Sequence, residues 1–139
     1  IIRARRTNVP CAIALIDLDW FKRINDRFGH PAGDEALRAF AITVFANIRS
    51  IDKLGRYGGE EFLLILPETS DSAASRAVDR LRGIVASLDW SAISQDMSVT
   101  MSAGLAMLRS DDTADSILAR ADKLLYQAKD LGRNRVVSA

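Results

Sequence analysis

A single cysteine, a single histidine and few aromatics, 6% of 139 residues, mark this sequence by what it lacks. Cys11 alone excludes an intrachain disulfide and suits a reducing, cytoplasmic setting. It adjoins an expected strand and reads as a small buried residue, not a nucleophile. No apolar stretch approaches the length of a membrane span and no signal peptide is visible, so no membrane contact is expected of this domain. No charge of one sign dominates: 19 Lys and Arg stand against 18 Asp and Glu, a formal net charge of +1. That balance gives no global reason to expect a nucleic-acid partner. The local basic excess, Arg3, Arg5 and Arg6, reads as a solvated terminus. His30, in Gly29-His30-Pro31, reads as a loop histidine making hydrogen bonds and not as a ligand or base. Ser102 has no His/Asp setting, which excludes a hydrolase triad. There is no internal repeat and no low-complexity segment.

What is present is an ordinary globular composition, 48% hydrophobic and 27% charged, in a chain long enough for one domain with a real core. It starts at Ile1 and runs almost at once into a strand, as expected of a piece of a longer protein. Ala12 to Ile16 is a continuous apolar run ending in Asp17-Leu18-Asp19, a central strand with carboxylates at its C-terminal end. Lys22 to Asp34 reads as a polar, glycine-containing stretch. Leu37, Phe40, Ala41, Val44, Phe45 and Ile48 follow helical spacing, which predicts an amphipathic helix over roughly 34–49. Lys53 to Tyr57 and Glu60 to Leu66 read as a hairpin about Gly58-Gly59, the glycines supplying positive φ.

Ser70 or Asp71 caps a second helix, burying Ala74, Ala77, Val78, Leu81, Ile84, Val85 and Leu88. A strand over 98–108, a helix over 115–130 ended by Gly132, and a short strand over 135–137 complete the chain. The order predicts an α+β fold: a ferredoxin-like, palm-like mixed sheet with helices packed on it. That fold hosts many functions, so function has to come from the site.

RYGGEEFLLILP, residues 56–67, raises the central question of the sequence. Two carboxylates at the mouth of a buried hairpin repel and lose hydration unless something positive offsets them. If the first strand and the hairpin lie side by side, Asp17 and Asp19 approach Glu60 and Glu61. Converging acidic oxygens suit Mg²⁺, a hard cation that also keeps waters and substrate phosphates. Asp17 and Asp19 share a strand face while Glu60 and Glu61 face opposite sides, so Asp17 with one glutamate is the minimal metal pair. Asn25 and Asp34 are small polar groups in the loop that leads into the helix. A carboxylate there can accept two donors from a guanine edge, and an amide can donate and accept. Helix capping explains each equally well when taken singly. Lys129 and Arg133 bracket the end of the last helix, where cations are favoured anyway.

Asp17-Leu18-Asp19-Trp20-Phe21-Lys22-Arg23-Ile24-Asn25-Asp26-Arg27-Phe28-Gly29-His30, then Gly33-Asp34, then Arg56-Tyr57-Gly58-Gly59-Glu60-Glu61-Phe62, closely resembles the GGDEF domain of diguanylate cyclases, in its GGEEF variant. Ser102-Ala103-Gly104, Ala121-Asp122, Tyr126-Gln127-Ala128-Lys129 and Gly132-Arg133-Asn134 extend the likeness along nearly the whole chain. The resemblance implies condensation of two GTP into cyclic di-GMP by a two-fold homodimer. It implies Mg²⁺, or Mn²⁺, on Asp17, Glu60 and the Leu18 carbonyl, with Glu61 in support. It further implies catalytic roles for Glu60, Glu61, Asp17 and Lys22. Guanine would be read by Asn25 and Asp34, and phosphate met by Phe21, Lys22, Lys129 and Arg133. Arg49-Ser50-Ile51-Asp52 resembles the family's RxxD product-inhibition site, with Arg80 as a secondary arginine. Trp20 falls at a variable position and carries no assigned role. The family's usual opening segment before the first strand is not in the sequence. Two other readings stand beside the enzyme: a domain that holds GTP or cyclic di-GMP without turning it over, and a polymerase-like palm. Near-neutral charge and the lack of basic-aromatic patterning weigh against the palm.

Overall fold

A computed structural model describes residues 9–139 of the chain; the Arg3, Arg5 and Arg6 cluster lies outside the described residues. Five strands form one sheet in the order β2-β3-β1-β4-β5. In chain order the elements are β1 (Cys11–Leu18), α1 (Phe21–Phe28), α2 (His30–Ala46), β2 (Lys53–Arg56), β3 (Glu61–Pro67), α3 (Asp71–Ser87), β4 (Met101–Met107), α4 (Ala114–Asp130) and β5 (Val136–Ser138). All pairings are antiparallel except β4 with β5. The first four strands with their helices are the split βαβ arrangement expected of the ferredoxin-like class.

The apolar run of β1 follows from its central place. Every one of its residues is buried. Its even positions, Ala12, Ala14, Ile16 and Leu18, join α1, α2 and α3 in the larger core. Its odd positions Ile13 and Leu15 meet α4 on the opposite face. A strand covered on both sides needs apolar residues at both parities. Cys11 is buried there and burial pushes its thiol pKa up, as expected of an inert side chain.

The helix on the lone face is pressed hard against the sheet. A Cβ added at Gly104 on β4 would lie 2.1 Å from the Ala121 carbonyl oxygen and 2.3 Å from the Leu125 nitrogen. Backbone therefore meets backbone, which only glycine permits. That contact fixes where the C-terminal end of α4, with Lys129, arrives relative to β1.

Three expectations need correction. The stretch read as a loop from Lys22 to Asp34 holds a helix, α1, and the start of α2. The apolar period of α1, Phe21, Ile24 and Phe28, spans only two turns, shorter than the window over which helical spacing is decisive. Consequently Asn25 and Asp34 sit on helices, and His30 opens α2 instead of lying in a loop. Second, Phe45 is exposed, as is Ile42 beside it; both line a groove next to the edge strand β2, which is too short to cover them. Third, the hairpin turn uses no left-handed glycine: among the described residues only Gly29 and Gly132 have positive φ of that type. Tyr57 and Gly58 instead donate backbone N–H bonds to the Glu61 carbonyl, and the Arg56 side chain clasps the Gly59 carbonyl.

Candidate active site

Antiparallel pairing sets Asp17 opposite Glu61 on one side and opposite Ser102 on the other. Directly paired residues share a face, with Cβ atoms ~5 Å apart. The expected juxtaposition of the first strand's end with the acidic hairpin is therefore present, and the shared-face partner is Glu61. Glu60 sits one residue earlier in the turn, its carbonyl accepting from the Leu18 N–H at 3.4 Å.

Asp17 is only 4% exposed. Its Oδ2 accepts from Lys129 Nζ, reaching across from α4. Its Oδ1 is buried without any hydrogen-bond partner. Burial, partly offset by Lys129 and reinforced by the charges of Glu60 and Glu61, pushes the Asp17 carboxyl up to about 6. An orphaned carboxylate oxygen beside two more carboxylates, with one ammonium already drawn in, is a place short of positive charge. Among the described residues no three His, Cys, Asp or Glu side chains form a cage on their own. What fits Mg²⁺ is the orphaned Asp17 oxygen with Glu61 paired opposite it, since that ion is commonly held by one or two carboxylates and completed by water and substrate phosphate.

Asp19 does not join this cluster. The strand ends at Leu18, and Asp19 accepts from Thr100 Oγ1 at 2.6 Å, Ser102 Oγ at 2.6 Å and the Asn134 N–H at 2.9 Å. It ties the β1 exit to the start of β4 and to the turn between α4 and β5. Asp19 is thus withdrawn from the expected convergence, which leaves Asp17 paired with Glu61 and Glu60 next to it in the turn, because a two-residue parity argument holds only inside a strand.

On the neighbouring helices, Asn25 Oδ1 is the second buried oxygen without a partner. It lies over Gly33: a Cβ at Gly33 would fall 1.8 Å from Asn25 Oδ1 and 3.3 Å from Phe21 Cζ. Gly33 thereby lets α1 and α2 close with Asn25 and Phe21 between them. Asp34 follows at once along α2 and lines a cavity of about 910 Å³ with Leu37, Arg38, Arg56 and Phe62. Lys22 is exposed on the first turn of α1.

Arg133 is stacked on the indole of Trp20, a contact that no spacing argument anticipated. Lys129, expected as a free phosphate cation, is paired with Asp17.

The RxxD residues lie elsewhere. Asp52 is buried and accepts from Arg49 through Nε at 3.2 Å and through the terminal nitrogen at 2.8 Å. That same nitrogen reaches the Pro67 carbonyl at 2.9 Å and the Thr69 hydroxyl. Arg80 donates to the Asn47 carbonyl at 2.9 Å. All three RxxD-associated side chains line one cavity of about 540 Å³, with Thr69 on its wall.

Comparison with known proteins gives the family and the fold. The family described as "Diguanylate cyclase, GGDEF domain" matches residues 1–135. The response regulator PleD of Caulobacter vibrioides is 44% identical over 138 residues, covering 97% of this chain and 30% of PleD. Diguanylate cyclase DosC of Escherichia coli is 39% identical over 137 residues, covering 98% of this chain and 30% of DosC. The chain therefore spans less than a third of the length of these two relatives. Among solved structures, the active GGEEF domain of a diguanylate cyclase from Vibrio cholerae superposes with a TM-score of 0.91 at 36% identity, covering 99% of this chain and 87% of that one. The GGDEF domain of DgcB from Caulobacter crescentus, solved in complex with c-di-GMP, gives 0.91 at 31% identity, covering 99% and 82%.

Proposed function

This chain belongs to the GGDEF family of diguanylate cyclases, and from that premise we propose that it condenses two GTP into cyclic di-GMP with release of two pyrophosphates. The observation that carries the reading is Asp17: buried, opposite Glu61, with one oxygen unpartnered. Asp17, the Leu18 carbonyl, Glu60 and Glu61 would hold Mg²⁺ or Mn²⁺. A bound divalent ion there lowers the pKa of the ribose 3′-hydroxyl and neutralises charge developing on phosphate.

The remaining roles belong to the chain's own side chains. Asn25 and Asp34 recognise the guanine edge, the orphaned Asn25 oxygen gaining a partner when the base arrives. Phe21 lies along the nucleotide. Lys22 and Arg133 face its phosphates, and Lys129 moves between Asp17 and phosphate as the charge balance changes. The 3′-hydroxyl oxygen of one GTP bonds to the α-phosphorus of the other, and the bond to pyrophosphate breaks. Glu60 takes the hydroxyl proton. Gly58 and Gly59 leave bare backbone at the mouth, where a nucleotide can approach closely; a Cβ at Gly59 would meet nothing within 4 Å.

One domain holds one GTP, so two must face each other. A two-fold homodimer supplies this with the same patch on each partner. Arg49, Asp52 and Arg80, gathered on one cavity, bind the product and restrain turnover, Arg forking onto guanine O6 and N7 or onto phosphate.

The test is GTP turnover with Mg²⁺ across a protein concentration series, with products identified by mass. Cyclic di-GMP rising more steeply than protein concentration is the expected result. Bound GTP without any product at high protein concentration would overturn the enzyme reading in favour of a nucleotide-binding module.

A further inference from the structure

Trp20 lies in the chain between the end of β1, with Asp17, and α1, with Asn25, and its surroundings are unusual. Its φ of +59° lies in the left-handed region, costly for a bulky side chain and maintained only where neighbours enforce it. It is 45% exposed, yet its indole is not bare. The guanidinium carbons of Arg23 and Arg133 each lie 3.7 Å from the ring centroid. Two planar groups that close to one ring exclude each other from a single face, so the indole lies between them.

The other half of this arrangement is also held in left-handed backbone: Arg133 at φ +65° and Asn134 at +48°. Asp19 binds the halves together. The residue just before Trp20 accepts from the N–H of the residue just after Arg133, at 2.9 Å. Its remaining bonds to Thr100 and Ser102 anchor both to the sheet. Among the described residues neither Arg23 nor Arg133 enters a salt bridge. Two guanidinium groups are thus brought near each other without a carboxylate to offset them. Each guanidinium packs on the ring; Arg133 also donates from one terminal nitrogen to the Lys129 carbonyl at 3.4 Å, and the remaining N–H groups are left for an anion.

We propose that Trp20 is a positioning residue, whose indole holds Arg23 and Arg133 as a paired cationic clamp for the polyphosphate tail of the nucleotide. The proposal rests on the GTP reading above and adds to it two residues, Trp20 and Arg23, whose place in the site follows from the stacking alone. Trp20 acts through the two arginines and touches no reacting atom. Its effect therefore scales with the number of phosphates on the ligand and not with recognition of the base.

The experiment titrates the chain, in Mg²⁺, with a non-hydrolysable GTP analogue and separately with GMP. Two variants are compared with the parent. Trp20→Asn removes the ring while tolerating left-handed backbone, and Trp20→Phe keeps a smaller aromatic face. We expect Trp20→Asn to weaken the triphosphate by about tenfold, the loss of two stacking contacts, while GMP stays within about twofold. Trp20→Phe regains most of that loss. Equal weakening of both nucleotides, or unchanged affinity for the triphosphate, overturns the clamp while leaving the GTP reading intact. A parent chain that binds neither nucleotide overturns the GTP reading and the clamp with it.

Discussion

Two buried aspartates at opposite ends of the sheet are treated in opposite ways. Asp17 is at the exit of β1; Asp112 follows β4, where the chain turns into α4. They are 4% and 3% exposed. Asp112 is satisfied on every side. It accepts from Arg120 at 2.7 and 3.0 Å, from the Ser116 hydroxyl at 2.7 Å and from the Arg109 N–H at 2.7 Å. Arg120 also reaches the Met107 carbonyl, and only its Nε lacks a partner. The Arg120 guanidinium, with these hydrogen bonds, holds the Asp112 carboxyl well below the usual carboxylate range. Asp17 has one ammonium, one orphaned oxygen and two repelling neighbours, and its carboxyl is pushed up. At similar exposure the two differ in depth and in satisfaction: the fold meets every need of Asp112, whereas Asp17 is desolvated with an acceptor unfilled, as the proposed metal site requires.

The sharpest way to break this comparison is to neutralise each in turn. Asp17→Asn should reduce GTP turnover by ~100-fold or more, because it removes the charge and one oxygen of the proposed metal site, while the thermal midpoint is unchanged or higher. Asp112→Asn should do the reverse: about 2 kcal/mol of stability lost with Arg120 left half-paired, and turnover kept at temperatures where the variant remains folded. Turnover assays and thermal melts on both proteins decide it. If Asp17→Asn melts much earlier, Asp17 is structural after all.

The sheet, its helices and the acidic hairpin were legible because burial on both faces of β1, capped amphipathic helices and a strand-turn-strand pattern each leave a period or a punctuation mark. The expected N-cap Ser70 accepts from the Ala73 N–H as a cap should. Asp17 with Glu60 and Glu61 was legible from topology alone. Asp19 was not, because its three partners lie 81, 83 and 115 residues further along the chain. The Arg120–Asp112 network escaped for a related reason: an Arg eight residues after an Asp on a helix entry has no pattern that distinguishes it from surface charge. α1 does carry an apolar period in Phe21, Ile24 and Phe28, but eight residues are too few to tell a two-turn helix from a polar connection. Glycine misled in one place and informed in another. Gly58-Gly59 suggested positive φ that the turn does not use, whereas Gly33 and Gly104 are fixed by close approach that no sequence reveals.

Gly33 extends the comparison to the second orphaned oxygen. If open acceptors mark the ligand site, disturbing Asn25 without touching its chemistry should impair binding more than folding. Gly33→Ala puts a methyl 1.8 Å from Asn25 Oδ1 and so turns the amide away. GTP affinity should fall by about tenfold, one guanine hydrogen bond with a partner left unpaired. Affinity for an adenine nucleotide, already weak, should barely change, so the preference for guanine narrows. Calorimetric titration with both nucleotides measures it, and an unaltered preference would remove Asn25 from base recognition.

The smallest expected effect is the pH response of the metal-free protein, and there the two aspartates pull in opposite directions. Asp17, raised from 3.8 to about 6, binds a proton more readily folded than unfolded. Its contribution therefore grows as pH falls through about 6, is complete below 3.8, and disappears again as pH rises through 6. Asp112, lowered from 3.8, holds its charge more firmly when folded. Its contribution is present above the ordinary carboxylate range and is lost as pH drops below it. Urea midpoints taken from pH 7 downward in chelator should separate the two. Relative to the parent, Asp17→Asn should lack a gain between about pH 6 and 4, and Asp112→Asn should lack a loss below about pH 4. A parent and an Asp17→Asn variant that keep parallel midpoints across pH 6 to 4 would mean that Asp17 titrates like an ordinary surface carboxylate. The orphaned oxygen would then be hydrated, and the distinction between the two ends of the sheet would fail at its open end.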